Sequence, residues 1–314
     1  MKEINQTGPK IYPVIHFLNR DVAFEEAQKA IDSGADGIFL ISHRGNDAEL
    51  LSVACSIKVE HPGFPIGVNF LSMEGLDATI AARKSDLPMV WGDDLGVDST
   101  GFTDMGLSIR AQKAVHPNGF DVFASVAFKY RPHEPNPSLA AKNALEAGFI
   151  PTTSGSGTGS APELGKIITM SQATGGMLAV ASGMTPENIA AYAPYLSHIL
   201  VATGIAQDEF RIDVAKLKKL IFNSKQNAKS ADAESQFLIR QRKKFKMTNI
   251  DRSEAVNLAR NIKENDMQPT PKGIRLLINA VLAMDEALST ECKNGAVVLT
   301  RSQLPRLKSR SLES

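Results

Sequence analysis

Eight short apolar runs alternate with eight amphipathic segments, and no other feature narrows the fold of this chain as much. The runs are "IYPVIHFL" (11–18), "GIFLIS" (37–42), "PIGVNFL" (65–71), "LPMVWGD" (87–93), "DVFASVAF" (121–128), "FIPTTS" (149–154), "GMLAVAS" (176–182) and "HILVAT" (198–203). Between them, "VAFEEAQKAIDSG", "AELLSVACSIKVEH", "MEGLDATIAARKS", "LSIRAQKAVH", "PSLAAKNALEAG", "APELGKIITMSQATG" and "TPENIAAYAPY" carry apolar residues at helical spacing, and several end in a capping glycine. "VAKLKKLIF" (214–222) supplies an eighth helix. Runs that are apolar throughout suit parallel strands buried on both faces. Eight strands, each with a helical return, predict an α/β fold of the (β/α)8 TIM-barrel class. The alternative, a doubly wound open sheet, is disfavoured by the regular repetition and by the lack of a GxGxxG after the first strand.

The pattern ends near Phe222. "NSKQNAKSADAESQ" is polar and reads as a linker, and two more helical patterns occupy 252–265 and 270–289. The predicted organisation is a barrel over 1–223 with a helical C-terminal extension or small appended domain over 224–314. The amphipathic face of "IRLLINAVLAMDEAL" suits either docking on the barrel or a homo-oligomer interface, and a homo-oligomer is the expected assembly.

Charge is balanced, 35 Lys+Arg against 34 Asp+Glu, so nothing draws the whole chain to nucleic acid or to a membrane surface. The basic run "RQRKKFK" (240–246) has no aromatic platform around it and reads as a solvated face. Two distant cysteines, Cys55 and Cys292, support neither a disulfide framework nor a zinc site. With no signal-peptide pattern and no membrane-length apolar run, a cytoplasmic location is expected.

Barrel active sites form at the C-terminal ends of the strands. Those positions hold His16, His43, Asn69, Asp93 with Asp94, Lys129, the stretch Ser154 to Gly159, Ser182-Gly183 and Thr203-Gly204. The exits of strands seven and eight are the recurrent phosphate site of such barrels. Here they carry Ser182, Gly183, Thr203 and Gly204, small residues that open backbone N–H groups to an anion. In "AVASGMTPENIAAY", Thr185 is placed as an N-cap, Pro186 as the first helical residue, and Glu187 near the positive end of the dipole. The glycine-rich "TTSGSGTGS" lacks a Walker lysine, but Ser154, Gly155 and Thr158 offer further amides and hydroxyls, or the stretch serves as a lid. Lys129 suits an anionic group, and Schiff-base chemistry is the lesser alternative. Alternation turns one of Asp93 and Asp94 inward as a general acid/base. His16 is either an acid/base at the mouth or a core histidine, and His43 has Arg44 beside it as an anion partner. Mg²⁺ held by Asp93 and Asp104 together with a substrate phosphate is the one cofactor the acids suggest.

Taken in order, "PVIHFL" with His16, "GVNFLS" with Asn69, "FTDMG" with Asp104, "SVAFK" with Lys129, "SGSGTG" (154–159), "ASGMTPENI" and "ILVATGI" resemble the BtpA family of barrels, over residues 8–222. That family includes SgcQ-like members and belongs with the ribulose-phosphate-binding barrels. The chain departs from the family pattern at "LNRD" after the first strand, at "ISHRGND" on the second, and at Tyr130, where the family carries histidine. The resemblance implies a phosphate-binding barrel. With the strand-end residues, it leads to the expectation of an enzyme acting on a small phosphorylated, sugar- or nucleotide-like substrate. Isomerase, lyase, and glycosyl or phosphoribosyl hydrolase or transferase chemistry all fit. The alternative is a non-catalytic ligand-binding or assembly factor of BtpA type that uses the C-terminal helices for partners.

Overall fold

In the computed structural model the described residues are 8–115 and 119–225. Eight parallel strands close into a barrel in sequential order. They are β1 (Lys10–His16), β2 (Ile38–Ile41), β3 (Ile66–Asn69), β4 (Met89–Gly92), β5 (Asp121–Ser125), β6 (Ile150–Thr153), β7 (Ala179–Ala181) and β8 (His198–Val201). The helical returns are α1 (Arg20–Asp32), α2 (Asp47–Glu60), α3 (Gly75–Lys84), α4 (Asp104–Val115), α5 (Pro137–Glu146), α6 (Leu164–Ala173), α7 (Ile189–Tyr192) and α8 (214–225). This is the TIM barrel that the apolar pattern predicts. No helix among the described residues is long and apolar enough to cross a membrane. The linker beyond Lys225, the basic run 240–246, Cys292 and the helical patterns at 252–265 and 270–289 lie outside the described residues.

Alternation along the strands separates two apolar sets. Ile11, Ile15, Ile38, Leu40, Ile66, Val68, Val90 and Val122 belong to the layer beneath the helices. Tyr12, Val14, Phe39, Ile41, Met89, Trp91, Phe123 and Leu200 fill the barrel interior. Both strand faces are therefore apolar, which is why the runs show no polar alternation. Interior filling is uneven by design: a side chain at Gly67 would collide with the Phe39 ring, so the small residue on β3 makes room for the large one on β2. His16 pairs with Ile41, and Ile41 with Asn69, so the first three strands end in register and present their last residues at one rim.

Two elements differ from the sequence reading. The segment read as a helix from Thr185 yields only the four-residue α7, succeeded by a 3-10 turn at Ala193–Tyr195. Thr185 Oγ1 does accept from the N–H groups of Glu187 and Asn188, at 3.2 and 3.3 Å. The Asn188 side chain, however, ties Thr185 N–H to the Gly183 carbonyl, which makes a compact corner ahead of the helix. A small antiparallel ribbon, Val97–Asp98 with Gly101–Phe102, interrupts the β4–α4 connection. It is too short to leave a periodic signal.

The barrel floor contains His198, 6% exposed, stacked on Tyr12 with ring centroids 5.7 Å apart and bonded through Nδ1 to Ser197 Oγ at 2.8 Å. Burial, with a smaller contribution from Lys10, drives its pKa down from 6.5 to about 3. Above pH 6.5 the ring is neutral in both folded and unfolded chains and has no effect on pH dependence. Below it, the unfolded chain takes up a proton that the folded chain refuses. Stability should then fall by about 1.4 kcal/mol per pH unit until the folded pKa is reached. Unfolding free energies measured across this window should show a shallower acid slope in His198→Gln; an unchanged slope would show that His198 is not the source.

Glu26 on α1 is fully buried and anchors the β8–α8 connection. Its carboxylate accepts from Ile212 N–H at 2.7 Å and from Lys29 Nζ at 2.8 Å, while neighbouring Glu25 receives Arg211 at 2.9–3.0 Å. Glu26→Ala would leave the Ile212 N–H without its acceptor and remove one of the two carboxylates paired with Lys29. A loss of about 3 kcal/mol is expected in urea unfolding. A change below about 0.5 kcal/mol, the range of an ordinary surface substitution, would show that the strap does not depend on it.

Candidate functional site

The C-terminal rim encloses a cavity of about 340 Å³. Its polar lining is His16 from β1, His43 after β2, Asp93 after β4, Lys129 and Tyr130 after β5, Thr158 after β6, Ser182 after β7 and Thr203 after β8. Val14, Ile41, Trp91, Phe128 and Leu200 supply its apolar wall. Seven of the residues singled out from the sequence thus come together in one space: His16, His43, Asp93, Lys129, Thr158, Ser182 and Thr203.

Asp93 is the carboxylate that faces this space. Burial raises its pKa, and the Asn69 amide (Nδ2 to Oδ1, 3.4 Å), Lys129, Arg131 and His43 offset only part of that rise. Asn69 is itself 1% exposed and sits behind Asp93 as its support. The His16 ring is held below the ordinary histidine range by burial, then by His43, whose ring lies edge-on with centroids 5.2 Å apart. Burial thus works against the charged form of both groups.

Asp94 turns away from the cavity. Burial pushes its carboxyl up, but the Arg131 guanidinium at 2.5 Å and the Gly96 N–H at 3.0 Å outweigh this and hold it low. Asp104 is an exposed first residue of α4 and does not line the cavity with Asp93. No group of three or more metal-ligating side chains occurs among the described residues.

Three loops stack backbone on backbone above β6, β7 and β8. A side chain at Gly183, where φ is +72°, would lie 2.2 Å from Ala161 N and 2.3 Å from the Ser160 carbonyl. At Gly204 it would lie 1.9 Å from the Met184 carbonyl oxygen. This changes the reason for the glycines. Their openness is taken up by neighbouring backbone. The N–H groups of Gly183, Met184, Thr203 and Gly204 find no acceptor among the described residues, although Gly183 and Met184 are buried. Buried amides without partners are rare in folded chains. Ser182 is held at φ +118°, a strained value for a residue with a side chain.

The glycine-rich stretch is fastened over the same wall. Gly159 N–H donates to Ser182 Oγ (3.1 Å), and that hydroxyl donates to the Gly157 carbonyl (3.3 Å). Lys129 Nζ donates to Thr158 Oγ1 (3.3 Å), and Thr158 N–H donates to the Tyr130 hydroxyl oxygen (3.2 Å). Ser154 faces away from the cavity and uses Oγ to accept Lys129 N–H at 2.7 Å, while Gly155 packs its Cα against the Ser160 carbonyl.

Some contacts at the mouth had no sequence signal. Tyr130, 79% exposed in a left-handed conformation, latches the β6 loop. Lys166, in the middle of an ordinary helical pattern, reaches two strand-end carbonyls. Tyr130 stood out in the sequence only as the residue after "SVAFK" and Lys166 not at all, and the partners of both are distant in sequence.

No protein-family profile matches the chain, and no characterised protein sequence matches it. Solved structures do. Native KDPGal aligns with a TM-score of 0.53 at 14% identity, covering 70% of this chain and 96% of its own. Phosphoribosyl anthranilate isomerase from Thermotoga maritima aligns with a TM-score of 0.51 at 18% identity, covering 69% and 99%. A phosphoribosyl anthranilate isomerase in complex with reduced 1-(o-carboxyphenylamino)-1-deoxyribulose 5-phosphate aligns with a TM-score of 0.50 at 16% identity, covering 69% and 99%. At these identities the likeness is one of fold.

Proposed function

We propose that the chain is an enzyme acting on a small phosphorylated, sugar- or nucleotide-like substrate. The observation that carries this reading is the set of four acceptor-free amides at Gly183, Met184, Thr203 and Gly204, at the exits of β7 and β8. Backbone N–H groups of this kind, with the Ser182 and Thr203 hydroxyls beside them, suit the oxygens of a phosphate. A fold neighbour that carries a 5-phosphate ligand is consistent with it, as is the BtpA-like order of "SGSGTG", "ASGMTPENI" and "ILVATGI".

Across the barrel from β8, Asp93 comes directly after β4, so a substrate held by its phosphate presents its other end to that carboxyl. Asp93, raised in pKa by burial and held by Asn69, is placed to act as the general acid/base. Lys129, between the two walls, stabilises negative charge that develops on the substrate or pairs with a phosphate oxygen. These roles fit proton-transfer chemistry such as isomerisation, lysis or glycosidic transfer.

Trp91 is the only tryptophan in the chain and lines the cavity with its indole N–H fixed on Ser125 Oγ at 2.9 Å. Titration with ribose 5-phosphate should therefore change its fluorescence saturably and raise the melting temperature, with ribose giving neither effect. No response to a panel of sugar and nucleoside phosphates, or an equal response to the unphosphorylated forms, would reject the proposal.

A further inference from the structure

We propose that Lys166 is a positioning residue that joins the exits of β5 and β6 and thereby sets the place of Lys129; its effect on ligand rests on the phosphate reading above. Its ammonium donates to the Ala127 carbonyl at 2.6 Å and to the Ser154 carbonyl at 2.9 Å. Those residues flank Lys129 from both sides. Ala127 lies two positions before it, and Ser154 receives its backbone N–H at 2.7 Å.

The segment needs such support. Ala127 and Tyr130 adopt left-handed conformations, φ +47° and +61°, that residues with side chains rarely hold unless neighbours impose them. The Ala127 carbonyl also accepts from Thr153 Oγ1 at 3.1 Å, so two donors fix the turn from which Lys129 projects. A lysine presents three donors on a compact centre, which lets one side chain bridge two carbonyls on adjacent strands. Burial lowers the pKa of Lys166, with Glu163 opposing, which fits an ammonium enclosed by backbone. No sequence pattern marks the residue, because its partners lie 39 and 12 positions away.

The test uses the full-length chain and two readouts, hydrogen exchange at the Lys129 amide and the dissociation constant for ribose 5-phosphate from Trp91 fluorescence. In Lys166→Met, exchange at that amide should accelerate about tenfold while the α6 amides keep their protection. Binding should weaken about tenfold, recover in Lys166→Arg to within about threefold, and change less than about twofold when Lys166→Met is made on Lys129→Ala. Unchanged exchange at Lys129, or equal weakening in both backgrounds, overturns the proposal. Should Lys166→Met fail to fold, Thr153→Val removes the other donor on the same carbonyl and should still accelerate Lys129 exchange about threefold; no acceleration counts against the proposal. If the wild-type chain binds no sugar phosphate, the phosphate reading fails on its own and the exchange result alone decides the role of Lys166.

Discussion

Lys129→Ala is expected to weaken binding of a phosphorylated sugar by about ten- to a hundredfold, the range of a lost hydrogen bond to a charged group. The fold should be nearly indifferent. Among the described residues the ammonium makes one hydrogen bond, 3.3 Å to Thr158 Oγ1, and sits 5.8 Å from the Phe128 and Tyr130 ring centres at the open rim. Melting temperature without ligand should therefore stay close to that of the parent chain, while the ligand-induced rise disappears. Calorimetric titration separates the two effects. An unchanged dissociation constant would remove Lys129 from the site, and a collapsed fold would make it structural.

A large loss of stability should come from a single methyl group. Gly183→Ala places a Cβ 2.2 Å from the Ala161 amide nitrogen, in a residue already at φ +72°. Backbone on both sides leaves no flexible side chain to yield. Overpacking together with the left-handed penalty should cost about 2–4 kcal/mol, read as a lower urea midpoint. Gly34→Ala is the control. It shares a positive φ of +81° but meets nothing within 4 Å, so it should cost only about 1 kcal/mol. Equal losses at the two sites would show that loop stacking above β7 does not matter. Because Gly183 is needed for packing, its variants report on the architecture of the mouth and are poor tests of the anion itself.

The barrel was legible because parallel strands covered on both faces leave continuous apolar runs, and the returns leave capped amphipathic ones. Strand ends then located His16, His43, Asp93, Lys129, Ser182 and Thr203, since a barrel brings every C-terminal strand end to one rim. Of the two adjacent aspartates, alternation required that only one face inward, but not which. Arg131, 37 positions from Asp94, draws that residue outward. Asp104 matched a motif yet stands exposed at the start of α4, because the ribbon at Val97–Phe102 redirects the chain ahead of it. The helix expected at Thr185 shrank to one turn because Asn188 spends its amide on the Gly183–Thr185 corner, and Pro194 stops the α-helix at Tyr192. Lys166, Tyr130 and Glu26 act through partners far along the chain, and single-residue patterns carry no trace of such pairings.

The central claim is that the free amides at the exits of β7 and β8 hold a phosphate. Monitoring the ¹⁵N–¹H resonances of the full-length chain during titration with ribose 5-phosphate tests it most directly. The account predicts saturable shifts concentrated at Gly183, Met184, Thr203 and Gly204, with none at those four on adding ribose. Shifts that bypass these four amides while binding occurs elsewhere, or identical shifts with the unphosphorylated sugar, would contradict it.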